Sequence, residues 1–75
     1  MTNDQVIKCW LRSEAVYRYP EASLWTTGLT LMSYDLIIGD TLPDGTKVTL
    51  TDVVIPSVTT RKHYNMAKRI LAKVV

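Results

Sequence analysis

Between two apolar stretches the chain carries Leu42-Pro43-Asp44-Gly45-Thr46-Lys47, a turn that obliges its flanks to run antiparallel. Pro43 pre-sets φ at the first central position, Asp44 suits the second, and Gly45 can take the left-handed geometry that sends the strand back. Val48, Leu50 and the trio Val53-Val54-Ile55 carry the return. Upstream, Ser23 to Ser33 reads as a second hairpin: Leu24, Trp25, Thr26 and Thr27 are strand formers, Gly28 permits a turn, and Leu29-Thr30-Leu31 alternates. Another strand is expected to follow with Met32, Tyr34, Leu36 and Ile38 on one face, and Gly39 either breaks it or marks a bulge. Pro56 has no N–H to give and is expected to stop the ladder.

Helical spacing frames these strands. Thr2-Asn3-Asp4-Gln5 has the form of a helix start, with Thr2 or Asn3 as cap and Gln5 reaching back. Val6, Ile7, Trp10 and Leu11 then recur at helical spacing, so a helix is predicted from about Asn3 to Arg12. Ser13 to Glu21 either extends it or forms a loop, and Pro20 closes the segment in both cases. After Pro56, Thr59 or Thr60 is expected to cap a final helix. Its stripe is His63, Ala67, Ile70, Leu71 and Val74, with Tyr64 at the edge. The predicted fold class is α+β: a small antiparallel sheet of three to four strands, a short N-terminal helix, and a C-terminal amphipathic helix packed on the sheet.

Seventy-five residues make one domain, 1–75, near the lower limit for a chain that folds on a single core. A core of that size leaves little surplus over chain entropy, so self-association or a partner is one expectation and a marginal monomer the other. The 47% hydrophobic content excludes a disordered tail. Cys9 is the single cysteine, which rules out an internal disulfide and fits a reducing compartment. The apolar run from Val6 to Leu11 is interrupted by Lys8 and too short for a signal segment, and nothing approaches a membrane span. A soluble cytoplasmic protein is expected.

The charge is unevenly distributed. Asp35, Asp40, Asp44 and Asp52 face only Lys47, whereas Pro56 onward holds Arg61, Lys62, Lys68, Arg69 and Lys73 with no acid. The segment Ser57-Val58-Thr59-Thr60-Arg61-Lys62-His63-Tyr64-Asn65 concentrates the chemistry. A first helical turn offers unpaired N–H groups and partial positive charge, so Ser57, Thr59, Thr60, Lys62 and His63 form a candidate anion site. First turns ordinarily favour Asp or Glu, which makes the bases here unusual. The plainer reading is a threonine cap with solvated bases, and it is favoured because such caps are common and no glycine-rich loop precedes them. The basic face formed by Arg61, Lys62, Lys68, Arg69 and Lys73 would bind a nucleic-acid backbone without regard to sequence. Cations near a helix C-terminus also serve the dipole and solubility, and no nucleic-acid-binding motif accompanies them, so a solvated face is the preferred reading.

Trp10, Tyr17, Tyr19, Trp25, Tyr34 and Tyr64 supply the aromatic bulk of a chain without phenylalanine, and most are expected in the core. Tyr17, Arg18 and Tyr19, beside Pro20, are the candidates for an exposed protein contact, since interfaces favour Tyr and Arg. Catalysis has little support. Cys9 and His63 would have to meet as nucleophile and base, but one cysteine on an apolar helix face is usually packing. One Cys and one His cannot form a structural zinc site, and the aspartates lack calcium-loop spacing. No enzyme activity, cofactor or metal is expected.

The order of motifs, "LWTTGLTLMSYDLIIG", an Asp-Gly turn, then "SVTTRKHYNMAKR", resembles a loosely defined group of small phage-encoded proteins of uncharacterised role. Leu31, Ser33, Tyr34, Ile37, Ile38, Ser57, Thr59, Thr60, Lys62, His63 and Asn65 carry the resemblance, over roughly Leu24 to Arg69. "SEAVYRYPE" departs from the pattern by its length. The resemblance brings no activity or cofactor. It implies a phage origin and action in the cytoplasm of an infected bacterium, where small accessory proteins bind host machinery; that step is analogy. Two functions are therefore expected: a non-enzymatic module that binds and modulates a host protein, or a nucleic-acid or phosphate binder using the final helix.

Overall fold

The structure, a computed structural model, describes residues 1–50 and 57–74. The elements are α1 (Asn3–Leu11), β1 (Leu24–Thr26), β2 (Leu31–Ser33), β3 (Leu36–Thr41), β4 (Lys47–Thr49) and α2 (Val58–Val74). The strands form one antiparallel sheet in sequence order, so the α+β expectation holds, with four strands among the described residues and a helix before and after them.

Helix α1 begins as its sequence requires. The Gln5 amide donates to Thr2 Oγ1 at 3.2 Å and the Thr2 amide donates to Gln5 Oε1 at 2.7 Å, a reciprocal cap. It buries Val6, Ile7, Cys9 and Trp10. After Leu11 the chain does not continue as helix: Ser13 takes φ 59, and the connection runs to Val16, which bridges Thr26 on the outer edge of β1. Residues 13–21 are thus a connection, not a longer helix.

Both helices lie on one face of the sheet. Their side chains and the inward strand residues merge in one cluster, Val6, Ile7, Trp10, Leu24, Leu31, Ile38 and Ala67, all fully buried. Burial of a large apolar side chain of this kind contributes about 1.5–3 kcal/mol. A bulge opposite Leu31 lets Ile38 and Gly39 both face the helices. Gly39 is required there because the Trp10 ring lies against the strand: a Cβ at residue 39 would sit 2.8 Å from Trp10 Cζ2.

Two expectations need correction. Met32, Tyr34, Leu36 and Ile38 do not share one strand. Tyr34 adopts φ 55, the chain reverses at Tyr34-Asp35, and Met32 and Leu36 fall on different strands. The final helix is capped by Ser57, not by Thr59 or Thr60. The Thr60 amide donates to Ser57 Oγ at 3.1 Å, and the Arg61 amide donates to the Ser57 carbonyl at 3.1 Å. The Pro-Asp-Gly turn joins β3 to β4 as expected: Gly45 has φ 92, its amide donates to the Leu42 carbonyl, and Asp44 Oδ1 accepts from the Thr46 amide. The Val53–Ile55 return and Pro56 lie outside the described residues.

Candidate protein-contact surface

Strand alternation divides the sheet residues. Leu24, Thr26, Leu31 and Ser33 point to the helices and are fully buried. Their neighbours Trp25 and Met32 therefore point to the opposite face, which neither helix covers. Trp25 pairs with Met32 and Met32 with Ile37, so a Trp–Met–Ile row crosses three strands. An antiparallel sheet with one solvated face ordinarily carries polar residues there, and this row of three carries none. Ile37 is 42% exposed and Tyr17 72% exposed.

The connection before β1 extends that row. The rings of Tyr17 and Tyr19 both lie 6.0 Å from the Trp25 ring, the first tilted and the second stacked. Such ring pairs are worth about 0.5–1.5 kcal/mol beyond their area. The Trp25 indole N–H donates to the Tyr34 carbonyl at 2.7 Å, which fixes the ring and ties the β2–β3 turn to it. Tyr19 and Tyr34 are themselves exposed.

Arg18 stands between the two tyrosines in sequence but not in space. Its guanidinium turns inward, donating to the Leu24 carbonyl at 2.7 Å, the Met1 carbonyl at 2.9 Å and Asn3 Oδ1 at 2.8 Å. Of the expected contact trio Tyr17, Arg18 and Tyr19, the tyrosines reach solvent while Arg18 clamps the segment to β1 and the N-terminus. Lys47 behaves alike at the other sheet edge. Its Nζ donates to Ser13 Oγ, the Gly28 carbonyl and Thr41 Oγ1, and lies 5.8 Å from the centre of the Trp10 ring. Burial lowers the Lys47 pKa, with nearby Asp40 opposing the shift.

The hydroxyl-rich start of α2 splits into an inner and an outer set. Thr60 is fully buried and His63 nearly so. Ser33 Oγ donates to Thr60 Oγ1 at 3.1 Å and lies 2.8 Å from His63 Nδ1; Ser57 Oγ also donates to Thr60 Oγ1. Which atom donates in the Ser33–His63 contact is set by the imidazole tautomer. Burial first, and the positive charge of Arg18 second, push the His63 pKa down and favour the neutral ring. Ser57, Thr59, Arg61 and Lys62 remain exposed. The five candidate anion ligands therefore do not converge on one outward site, because Thr60 and His63 belong to the helix–sheet interface.

Arg61, Lys62, Lys68, Arg69 and Lys73 are all exposed, with Lys68 Nζ 5.5 Å from the Tyr64 ring centre. Cys9 is buried, and its Sγ accepts a weak bond from Arg12 at 3.5 Å, whereas His63 is engaged with Ser33. Among the described residues no three His, Cys, Asp or Glu side chains converge as a metal site, and no helix is long and apolar enough to cross a membrane.

Sequence reasoning missed Trp25, Met32 and Ile37 as surface residues. Strict alternation from Leu24 and Leu31 would have placed Trp25 and Met32 outward. Ile37 could be placed only after the turn at Tyr34 was known. Comparison with family models, with curated proteins and with solved structures finds no match for this chain.

Proposed function

We propose that this chain is a non-enzymatic protein-binding module, a phage accessory protein that acts inside an infected bacterium by binding and modulating a host protein. The observation that carries the reading is the Tyr17–Trp25–Tyr19 stack continued by Met32 and Ile37 on the sheet face away from the helices. Half-buried Trp25 and Met32 flanked by exposed Tyr17, Tyr19 and Ile37 on a fixed frame are the kind of side chains from which interface centres are made. The Ser33–His63 contact is buried within the core and supports packing of α2 more than attack on a substrate. The test is affinity capture from bacterial lysate with the wild-type chain, Tyr17→Ser and Trp25→Ala. Recovery of a defined protein that both substitutions abolish supports the reading. Equal recovery by all three, or recovery of nucleic acid alone, refutes it.

The second reading, binding of nucleic acid or phosphate, draws support from the five exposed cations of α2 and the lack of an acid in its first turn. It predicts oligonucleotide binding that weakens steeply with salt and is lost when Lys62→Ala and Arg69→Ala are combined. No binding at low salt removes it.

A further inference from the structure

We infer that the partner meets this sheet face with cationic side chains, arginine above all, set among apolar ones. The inference rests on the protein-binding reading and names the chemistry of that partner. Three observations lead to it. First, aromatic rings present a negative face, and Tyr17, Trp25 and Tyr19 lie together where a guanidinium can stack on them. Second, the charged residues that adjoin this face along the chain and are not turned away from it are acids. Asp40 is the next outward residue of β3 after Ile37, paired with Val48. Asp35 follows Tyr34, Glu21 follows Tyr19-Pro20, and both are exposed. Third, the two cations closest in the chain to this face are withdrawn from it. Arg18 and Lys47 each spend three hydrogen bonds on backbone and side-chain oxygens of other segments. What is left is an apolar, aromatic surface with a negative rim, complementary to a positively charged segment.

The same three rings could stack bases, but a nucleic-acid strand also needs cations along its backbone path. Among the described residues, the charges that adjoin this face and are not turned away from it are Glu21 and Asp35 along the chain and Asp40 on β3, so a polyanion is repelled. A second copy laid face to face would oppose these acids with their own equivalents.

The experiment titrates the isotope-labelled full chain with a short peptide alternating arginine and leucine, and with counterparts carrying glutamine or glutamate for arginine. Amide, indole and tyrosine ring signals report the contact. The expected result is movement of the Trp25 indole and the Tyr17 and Tyr19 rings with the buried Trp10 indole still. Arginine should bind about 5- to 30-fold tighter than glutamine, the equivalent of two exposed cation–π contacts. Asp40→Asn should weaken it severalfold, and Tyr17→Ser combined with Trp25→Ala should abolish it. Equal affinity for the glutamine peptide overturns the cationic assignment while leaving the protein-binding reading intact. Four other outcomes overturn it outright: preference for the glutamate peptide, no shift with any peptide, shifts produced only by a single-stranded oligonucleotide, or shifts that follow the chain's own concentration. Lysate capture, which is indifferent to partner charge, decides the underlying reading separately.

Discussion

Replacing Gly39 with alanine adds one methyl group at the closest approach of α1 to the sheet. The residue does not occupy the left-handed region, so its backbone accepts alanine, and the effect isolates packing. The new Cβ would lie 2.8 and 2.9 Å from Trp10 Cζ2 and Cη2, and 3.1 Å from Leu31 Cβ. Carbon atoms in ordinary contact stand about 3.5–4.0 Å apart, so something must yield by more than half an ångström. Trp10 cannot swing freely, because it is fully buried and its indole N–H donates to the Leu29 carbonyl at 3.0 Å. Overpacking of this kind costs about 1–3 kcal/mol. Alanine recovers about 0.4–1 kcal/mol by restricting the unfolded chain. Taking the middle of each range, the net destabilisation is about 1 kcal/mol, a fall in Tm of roughly 4–8 °C for a domain this small. Thermal and urea unfolding followed by circular dichroism measures it. A decisive companion is the same change made in a Trp10→Leu background, where the six-membered ring is gone and the penalty should shrink or change sign. A Gly39→Ala chain as stable as wild type, or a penalty undiminished in the Trp10→Leu background, would refute the reasoning.

Ser33→Ala removes the hydroxyl that links Thr60 to His63 within the core, and should cost about 1–3 kcal/mol by urea titration because both partners stay buried. Since the His63 pKa is lowered in the folded state, the unfolded chain binds the extra proton first as pH falls. The histidine contribution is therefore complete above about pH 6.5 and is lost below it, by at most about 1.4 kcal/mol per pH unit. Urea midpoints measured across that range should slope for wild type and flatten in His63→Asn, and parallel profiles would count against the assignment. Ser57→Ala should destabilise by about 1 kcal/mol through loss of the α2 cap, whereas Thr59→Ala should stay within about 0.5 kcal/mol. The reverse order of those two would restore the threonine cap.

The elements that could be read from the chain are those whose signal is local. Pro43-Asp44-Gly45 specifies its hairpin through backbone geometry alone, and Thr2 with Gln5 closes a cap within four residues. The stripe of His63, Ala67, Ile70 and Leu71, with Tyr64 at its edge, repeats at helical spacing and packs on the core, joined by Met66; the Val74 side chain lies outside the described residues. Where the reading failed, the deciding partner was distant or the local signal was shared. Ser33-Tyr34-Asp35 holds no glycine or proline to announce a reversal, yet Tyr34 turns left-handed where its amide donates to the Ser23 carbonyl at 2.7 Å. Ser57, Thr59 and Thr60 are all competent caps; the helix starts at Val58 with the Thr60 amide on Ser57 Oγ, and Thr60 itself is turned in against Ser33. The inward turn of Arg18 depends on Met1, Asn3 and Leu24, which no spacing rule connects to it.

That guanidinium has a consequence for the kinetics of recognition. By tethering the stretch between Tyr17 and Tyr19 to β1 and to the N-terminal residues Met1 and Asn3, it makes folding, not association, bear the loss of freedom in the stacked rings. On the proposed protein-binding reading, a partner would encounter a finished surface, and capture would be governed by diffusion and steering instead of by waiting for a wandering loop. On that reading an Arg18→Ala chain would keep every ring of the proposed surface and still be slower to catch its partner.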